Sequence, residues 1–331
     1  YYGVAAVDVA RELGLPASVF FHGFELNSQL RDGYPTEPVP MRAGPALTGL
    51  RERTFYTVAR DDRLLVNSQY TATLFDGFAE AAPIRTVGCG VAAAAMERLG
   101  YSPEQRARNR AAARRALGLS PTGPVLASVG RLVPTKRVDR MIDLVAADES
   151  FEAVIVGDGQ CREALAHQIE AAGIADRVKL LGRAEEGDKW AAYEAADFTC
   201  LFSEPDLSTG QIEGFGITLL EGAVCGSLPV CSGTGGMGDV VSDRMTGLVL
   251  PARASDDDGG ADRRAAAQRD AAMLRKIFDD GTGRDRMVAA AQAQIRSRFN
   301  WSAVSTRILS DDPGSDDPLP SGQSVECVAL P

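Results

Sequence analysis

The sequence predicts an α/β protein made of two doubly wound domains, the first of them incomplete. The 331 residues are long for one compact domain, so two units are expected. In the second half, short apolar runs alternate with segments of helical periodicity, which is typical of a parallel sheet covered by helices on both faces. Three further apolar runs lie in the first half, and a basic, alanine-rich stretch without such runs separates them from the second half. With right-handed crossovers, the second unit becomes a Rossmann-like, doubly wound domain.

The amino-terminal unit contributes three predicted strands. A helix is predicted over residues 4–13, and a polar, proline-rich loop over 27–45. Ser68 is a good N-cap for the helix that follows the second strand. The strands are predicted at residues 17–21, 63–67 and 84–87.

Between residues 92 and 122 the composition becomes basic. We interpret this stretch as a solvated linker helix in preference to a nucleic-acid or lipid site, and we place the domain boundary there. The predicted domains are residues 1–119, 120–295, a returning helix at 296–310, and a disordered tail at 311–331 that is rich in Asp, Pro and Ser. The arginines of the stretch are Arg106, Arg108, Arg110, Arg114 and Arg115.

The second unit alternates regularly. An acidic, glycine-rich insertion follows at residues 256–260, and two more helices are expected after it. The strands are predicted at 125–129, 153–156, 178–181, 198–201 and 228–231, and the helices at 138–145, 161–172, 188–195 and 217–224.

Composition excludes several classes of function. The net charge of −10 argues against a general nucleic-acid binder, and no apolar stretch is long enough to span a bilayer. The six cysteines are scattered without metal-ligand spacing, so we expect reduced, mostly buried thiols in a cytoplasmic protein. With only two histidines, a histidine-rich metal site is not expected.

Ligands of an open parallel sheet bind at the carboxyl ends of its strands, and four loops there need weighing. After the strand at 125–129, Arg131 and Lys136 can converge on one anion, although a pair of solvated cations explains them equally well. The turn at residues 157–159 has one GxG, which is more typical of a plain strand-to-helix turn. The glycines of residues 232–236 indicate either a nearby ligand or tight packing.

The segment "EGFGITLLE" carries the strongest signal. It opens a helix with Gly214 and Gly216, and the unpaired amides of such an opening form an anion site. Glu213 precedes this helix, and Glu221 lies one turn inside it. In the alternative interpretation, Glu213 is a helix-dipole partner and Glu221 is a surface carboxylate. That interpretation leaves the two glycines unexplained.

Together these segments resemble the family 4, glycogen-synthase-like retaining glycosyltransferases, whose GT-B fold has two facing Rossmann-like domains. The resemblance covers about residues 4–309. It implies transfer of a mannose- or glucose-type hexose from a UDP- or GDP-linked donor to a glycolipid, polysaccharide or other glycan. The motifs that carry it are "VGRLVPTKRVDRMI", "AVIVGDGQCREAL", "RVKLLGR", "EGFGITLLEGAVCGSLPV", "GTGGMGDVV", "TGLVLP" and "RFNWSAVSTRIL".

The family's roles are carried over position by position. The resemblance implies that Arg131 and Lys136 hold the leaving diphosphate, that Glu213 contacts the transferred sugar, and that Glu221 binds the ribose. It places Arg183 near the base, and it implies that His22 reaches across the cleft towards the donor sugar. Backbone hydrogen bonds to sugar and phosphate are implied for Gly214, Phe215, Gly216 and Ile217, and Gly130 is a further donor-binding residue.

The resemblance implies chemistry without a cofactor or metal, since no Asp-x-Asp motif follows a strand. A lipid acceptor would bring the protein to the cytoplasmic membrane face. The first residue is Tyr1, and the family begins with a further strand and a Gly-Gly loop, so we expect an amino-terminally truncated chain. Two alternatives stay open, namely a non-catalytic nucleotide-binding remnant and a GT-B nucleotide-sugar epimerase.

Overall fold

A computed structural model of the chain describes residues 12–13, 18–21, 63–73, 84–206, 212–251 and 260–309. The predicted loop at 27–45 and the tail at 311–331 lie outside these residues. So do His22, most of the helix predicted over 4–13 and all but the last residue of the insertion at 256–260.

A small parallel sheet with strand order β1-β2-β3 confirms the three amino-terminal strands. Leu64 of the middle strand pairs with Val19 on one side and with Ile84 on the other. Ser68 caps the following helix α1 as predicted, because its Oγ accepts a hydrogen bond from the Thr71 N–H at 3.1 Å. The elements are β1 (Ser18–Phe21), β2 (Arg63–Val66), α1 (Gln69–Thr73) and β3 (Ile84–Thr86).

The basic stretch forms two helices, α2 (Ala93–Leu99) and α3 (Pro103–Leu117), and the prediction that it is solvated is wrong for one face. Arg110 and Arg114, one turn apart, both donate to the buried carboxylate of Asp197, at 3.1 and 2.6 Å. Asp197 also accepts the Val125 N–H at 2.9 Å. Only the opposite face, with Arg108, is exposed. The linker helix is therefore fixed to the second unit by ion pairs.

The second sheet has six parallel strands in the order β6-β5-β4-β7-β8-β9, which confirms the doubly wound prediction. The chain winds outward from β4 to β6, returns beside β4, and winds the other way to β9. The strands are β4 (Val125–Val129), β5 (Glu152–Val156), β6 (Val178–Gly182), β7 (Phe198–Leu201), β8 (Leu228–Cys231) and β9 (Leu248–Val249).

Helices cover both faces of this sheet. Successive residues of β4 enter opposite cores, since Leu126 packs in one cluster and Ala127 in another, each with no exposed surface. Burial on both faces explains why the strands read as continuous apolar runs. The helices are α4 (Val138–Ala147), α5 (Arg162–Ala171), α6 (Glu186–Ala195), α7 (Ile217–Val224), α8 (Gly260–Asp279), α9 (Gly281–Ser297) and α10 (Trp301–Leu309).

The carboxyl-terminal helix α10 returns to the segment that follows β3. The Arg307 Nε donates to the Val87 carbonyl at 2.9 Å, and the Val91 N–H donates to the Phe299 carbonyl at 2.8 Å.

The domain boundaries stay a prediction. Across the described ranges, no helix is both long and apolar enough to cross a bilayer. The five cysteines in these ranges are free thiols, and four of them are buried.

Candidate functional site

The candidate site lies at the carboxyl edge of the second sheet, where the winding direction reverses between β4 and β7. In doubly wound sheets this reversal opens a crevice that binds ligands. The loop after β4 carries Arg131 and Lys136, and the loop after β7 leads to Glu213 and the start of α7. These are the two loops that the sequence motifs singled out.

The structure brings Lys136 and Glu213 together. Pro134 and Lys136 form a single 3₁₀ turn, and the Lys136 Nζ donates a hydrogen bond to Glu213 Oε2. The two side chains are 22% and 14% exposed, so the pair still borders solvent. The other oxygen of Glu213 accepts the Phe215 N–H at 3.4 Å. A cation and a carboxylate thus meet at the mouth of the crevice.

Arg131 is not part of this pair. Its side chain is exposed and makes no hydrogen bond or ion pair with the described part of the chain. Arg137, which the sequence reasoning missed, instead ties the two loops together by pairing with the buried Glu204. The Glu204 N–H also donates to the Thr135 carbonyl at 2.9 Å.

The start of α7 has the predicted open geometry. Gly216 precedes the helix with φ 98°, which favours glycine, and no side chain caps the first turn. Phe215 is buried and packs edge-on against Phe299 at 5.5 Å, so only its backbone can serve a ligand. Ile217 is 41% exposed at the opening. The Leu219 N–H bonds the Gly216 carbonyl at 3.0 Å, so the N–H groups of Ile217 and Thr218 are the ones that lack a partner among the described residues and can meet an anion.

Two buried hydroxyls near this edge lack hydrogen-bond partners within the described residues. They are Thr218 Oγ1, in the first turn of α7, and Ser203 Oγ, just after β7. Buried polar atoms are normally paired, so each orphan needs an explanation. Thr218 lies inside the segment "EGFGITLLE", although no role was predicted for its hydroxyl, and no motif pointed to Ser203.

The glycines of the loop after β8 are explained by tight packing. A Cβ on Gly235 would collide with the Glu213 carbonyl oxygen, and one on Gly236 would collide with that of Gly214. The Gly236 N–H donates to the Glu213 carbonyl at 2.9 Å. This 3₁₀ segment, Gly235–Asp239, therefore supports the backbone of the donor loop predicted at residues 213–217.

The same explanation holds for the turn after β5. A Cβ on Gly157 would collide with the Gly130 carbonyl oxygen, and one on Gly159 would lie 2.5 Å from that of Leu132. The structure thus confirms a structural turn, and Gly130 belongs to the loop packed on it.

Glu221 is neither a surface carboxylate nor unpaired. It is 8% exposed and faces α6, where Lys189 Nζ donates to Oε1 at 3.1 Å and Tyr193 Oη donates to Oε2 at 2.8 Å. Arg183 follows β6 with an exposed side chain that makes no polar contact with the residues the structure describes. His22, the remaining predicted site residue, lies outside those residues.

Known glycosyltransferases match parts of this chain. Residues 109–270 match the family described as "Glycosyl transferases group 1". A GDP-mannose-dependent monoacylated alpha-(1-6)-phosphatidylinositol monomannoside mannosyltransferase of Corynebacterium glutamicum is 32% identical over 215 residues, or 62% of this chain and 52% of the relative. A D-inositol 3-phosphate glycosyltransferase of Salinispora tropica is 31% identical over 267 residues, or 76% and 51%. The chain spans about half the length of these curated relatives.

Solved structures agree on the fold. Anabaena Alr3699/HepE in complex with UDP superposes with a TM-score of 0.70 at 20% identity, covering 92% of this chain and 74% of that one. WaaG, a glycosyltransferase involved in lipopolysaccharide biosynthesis, gives a TM-score of 0.60 at 18% identity. That superposition covers 80% of this chain and 66% of WaaG. The described architecture is that of GT-B structures.

Proposed function

Because residues 109–270 carry a glycosyl transferases group 1 domain on a GT-B fold, we propose that this chain belongs to a retaining hexosyltransferase. It takes a mannose- or glucose-type hexose from a UDP- or GDP-linked donor and transfers it to a glycan, polysaccharide or lipid-linked acceptor. Relatives named as mannosyltransferase and inositol-phosphate glycosyltransferase support this substrate class. The phosphatidylinositol-based name of the first supports a lipid acceptor and a peripheral association with a membrane.

The observation that carries the proposal is the contact between Lys136 and Glu213 beside the uncapped start of α7. Loops that are 77 residues apart in sequence place a cation, a carboxylate and free amides at one edge. A sugar diphosphate needs these three groups. The amides and the cation bind the phosphates, and the carboxylate accepts hydrogen bonds from sugar hydroxyls.

The proposed roles follow this geometry. Lys136 and Arg131 neutralise the diphosphate, helped by the amides at Gly216 and Ile217, each helix-end interaction adding about 0.3–1 kcal/mol. Glu213 contacts the transferred sugar, and Glu221 contacts the ribose. Backbone groups of Gly130, Gly214 and Phe215 line the crevice, Arg183 lies towards the base, and His22 completes the donor site from the first domain.

Transfer depends on stabilising the leaving diphosphate. As the sugar–phosphate bond breaks, negative charge grows on the diphosphate. Fixed cations and amides therefore stabilise the transition state more than they stabilise the bound donor before reaction. Lys136 is already held in the crevice by Glu213, so it needs little reorganisation to share its ammonium with a phosphate. We propose that these groups suffice without a metal ion.

The first experiment is calorimetric titration of the chain with UDP and with GDP in the presence of EDTA. We expect one of them to bind, and we expect Arg131→Ala and Glu221→Ala to weaken binding about tenfold or more, as hydrogen bonds to charged groups do. Arg108→Ala, which removes an exposed arginine of α3, is the matched control and should bind like the parent. A folded protein that binds neither nucleotide would contradict the donor site.

Turnover separates the remaining alternatives. The chain that binds a nucleotide is incubated with the matching sugar nucleotide and a glycan or lipid acceptor, and the anomeric configuration of the product is read by NMR. An α-linked product from an α-linked donor supports the retaining transferase. A 2-epimeric or free sugar formed without acceptor favours the epimerase, and binding without any product favours the non-catalytic remnant.

A further inference from the structure

The carboxylate of Glu221 is held by two side chains of a neighbouring helix that no sequence motif singled out. Glu221 belongs to α7, whereas Lys189 and Tyr193 belong to α6 and follow each other by one helical turn. Each of its two oxygens receives one hydrogen bond, from Tyr193 Oη at 2.8 Å and from Lys189 Nζ at 3.1 Å. A carboxylate fixed at both oxygens cannot rotate about its terminal torsion.

Both partners donate throughout the neutral pH range. Burial, and then the charge of Glu221, raise the pKa of Tyr193 well above its usual value of 10, so the hydroxyl keeps its proton. Burial alone lowers the pKa of Lys189, but its hydrogen bonds and charge interactions with Glu186 and Glu221 outweigh this and raise it above 10.5. Lys189 therefore stays charged, and neither donor switches role near neutrality.

Aromatic packing restricts these donors further. Lys189 Nζ lies 4.7 Å from the ring centre of Trp190 and also bonds Glu186 at 3.0 Å. The rings of Trp190 and Tyr193 lie 5.8 Å apart, and Tyr193 is fully buried. A cation over an indole face is stabilised, and a buried tyrosine has few rotamers to choose from.

The bonds leave acceptor capacity on the carboxylate. An ionised carboxylate offers about four lone-pair sites, two on each oxygen. Lys189 and Tyr193 occupy one site per oxygen, so one site stays on each, and the side chain of Glu221 retains 11% of its surface exposed. Two remaining acceptors at the spacing of a carboxylate match two adjacent hydroxyl donors, which is the chemistry of a vicinal diol.

We propose that Lys189 and Tyr193 are positioning residues that orient the Glu221 carboxylate towards the vicinal diol of the donor nucleotide's ribose. This inference rests on the proposed function, since it takes the nucleotide as the ligand. It extends that function by making α6 responsible for discrimination between ribose and deoxyribose. Orientation before binding removes an entropic cost that a free carboxylate would bear on each binding event.

The test compares GDP with 2′-deoxy-GDP and UDP with 2′-deoxy-UDP by calorimetry, using the base that the parent chain binds. The variants are Tyr193→Phe and Lys189→Met, which preserve the ring and the aliphatic stem. Their matched controls are Tyr101→Phe, whose exposed hydroxyl bonds Glu97, and Lys179→Met, whose ammonium bonds the backbone of Asp176. Inorganic pyrophosphate serves as a ligand that has no ribose.

We expect the parent chain and both controls to prefer the ribonucleotide about tenfold, the value of one hydrogen bond to a charged group. Each of the two variants should lower this preference to within about threefold while binding pyrophosphate as the parent does. Thermal unfolding accompanies every titration. A merely structural role would weaken all three ligands together and leave the ratio between ribose and deoxyribose unchanged.

The outcomes separate the inference from the proposed function. If the parent binds nucleotide and both variants keep the tenfold preference, the positioning role is wrong although the donor site stands. If the parent binds nucleotide without any preference for ribose, Glu221 does not meet the diol and the inference is also wrong. If the folded parent binds neither nucleotide, the proposed function fails and the inference fails with it.

Discussion

Asp239 gives the sharpest test of the electrostatics around the donor loop. It ends the 3₁₀ segment Gly235–Asp239, is 8% exposed, and accepts the Gln69 N–H of helix α1 at 2.5 Å. Burial raises the pKa of its carboxyl group from 3.8 to about 6, although the Gln69 N–H and the charge of Arg298 act in the opposite direction. The carboxylate therefore joins helix α1 to the 3₁₀ segment that supports the backbone of Glu213, although its burial removes it from water.

The sign of the pH dependence follows from this shift. The folded protein binds the proton more tightly than the unfolded chain, so Asp239 contributes most to stability below its unfolded pKa of 3.8. That contribution is lost as the pH rises through the folded pKa of about 6 and stays absent above it. A shift of about two pH units corresponds to about 3 kcal/mol.

The perturbation is Asp239→Asn, which keeps an oxygen acceptor for the Gln69 N–H but cannot ionise. Between pH 4 and pH 7.5 the parent should lose up to about 3 kcal/mol of stability that the variant does not lose. The free energy of unfolding of the variant minus that of the parent should therefore increase by that amount. Any fixed cost of burying the new amide group, about 1–3 kcal/mol, shifts the whole curve without changing its slope. The slope is therefore the quantity to measure.

Urea unfolding at a series of pH values, followed by tryptophan fluorescence, measures this difference. Asp176→Asn, which changes an exposed aspartate in the turn before β6, should give a flat difference over the same range. A flat difference for Asp239→Asn as well would refute the reasoning, because it would mean that the carboxyl group has the same pKa in the folded and unfolded states.

Three further predictions concern the site and its supports. Lys136→Met should raise the Kd of the bound nucleoside diphosphate about tenfold or more in calorimetry, because it removes a charged donor; an unchanged Kd would take Lys136 out of the site. Arg114→Met should lower the free energy of unfolding by about 1.5–3 kcal/mol, because the buried Asp197 carboxylate loses one charged donor while two other arginines still pair with it. Arg108→Met on the same helix should change it by less than about 0.5 kcal/mol, and equal effects in urea unfolding would contradict the ion-pair account. Gly236→Ala should abolish nucleotide binding because the added Cβ collides with a donor-loop carbonyl, whereas Gly238→Ala, which meets nothing within 4 Å, should bind normally.

The fold could be predicted because its determinants are local. The buried strands are short apolar runs bounded by glycine, proline or polar residues, and β4, β7 and β8 begin and end where the sequence predicts. Helix α7 is equally exact, since Gly216 at φ 98° must precede it and Gly226 at φ 91° follows its end. Where single residues fix the backbone, the pattern and the structure agree.

The charge pairing could not be predicted, because the partners are far apart in sequence. Arg114 and Asp197 are 83 residues apart, and nothing in a run of five arginines shows which of them will be buried. Lys136 was expected beside Arg131, but its partner is Glu213, which the folding of another loop brings to it. Lys189 and Tyr193 do lie at i and i+4 on one helix face, yet only the packing of α6 on α7 reveals their common partner.

Even without the comparisons, the distribution of charge at the carboxyl edge of the second sheet favours an anionic ligand. Three cations near this edge already have a carboxylate partner, namely Lys136 with Glu213, Arg137 with Glu204 and Lys189 with Glu221. Arg131 after β4 and Arg183 after β6 have side chains that make no polar contact with the described residues. These two arginines therefore carry positive charge that no described carboxylate pairs with, in a chain whose net charge is −10. Strands β4 and β6 are two spacings apart, about 10 Å, so the charges suit an extended anion better than a single phosphate.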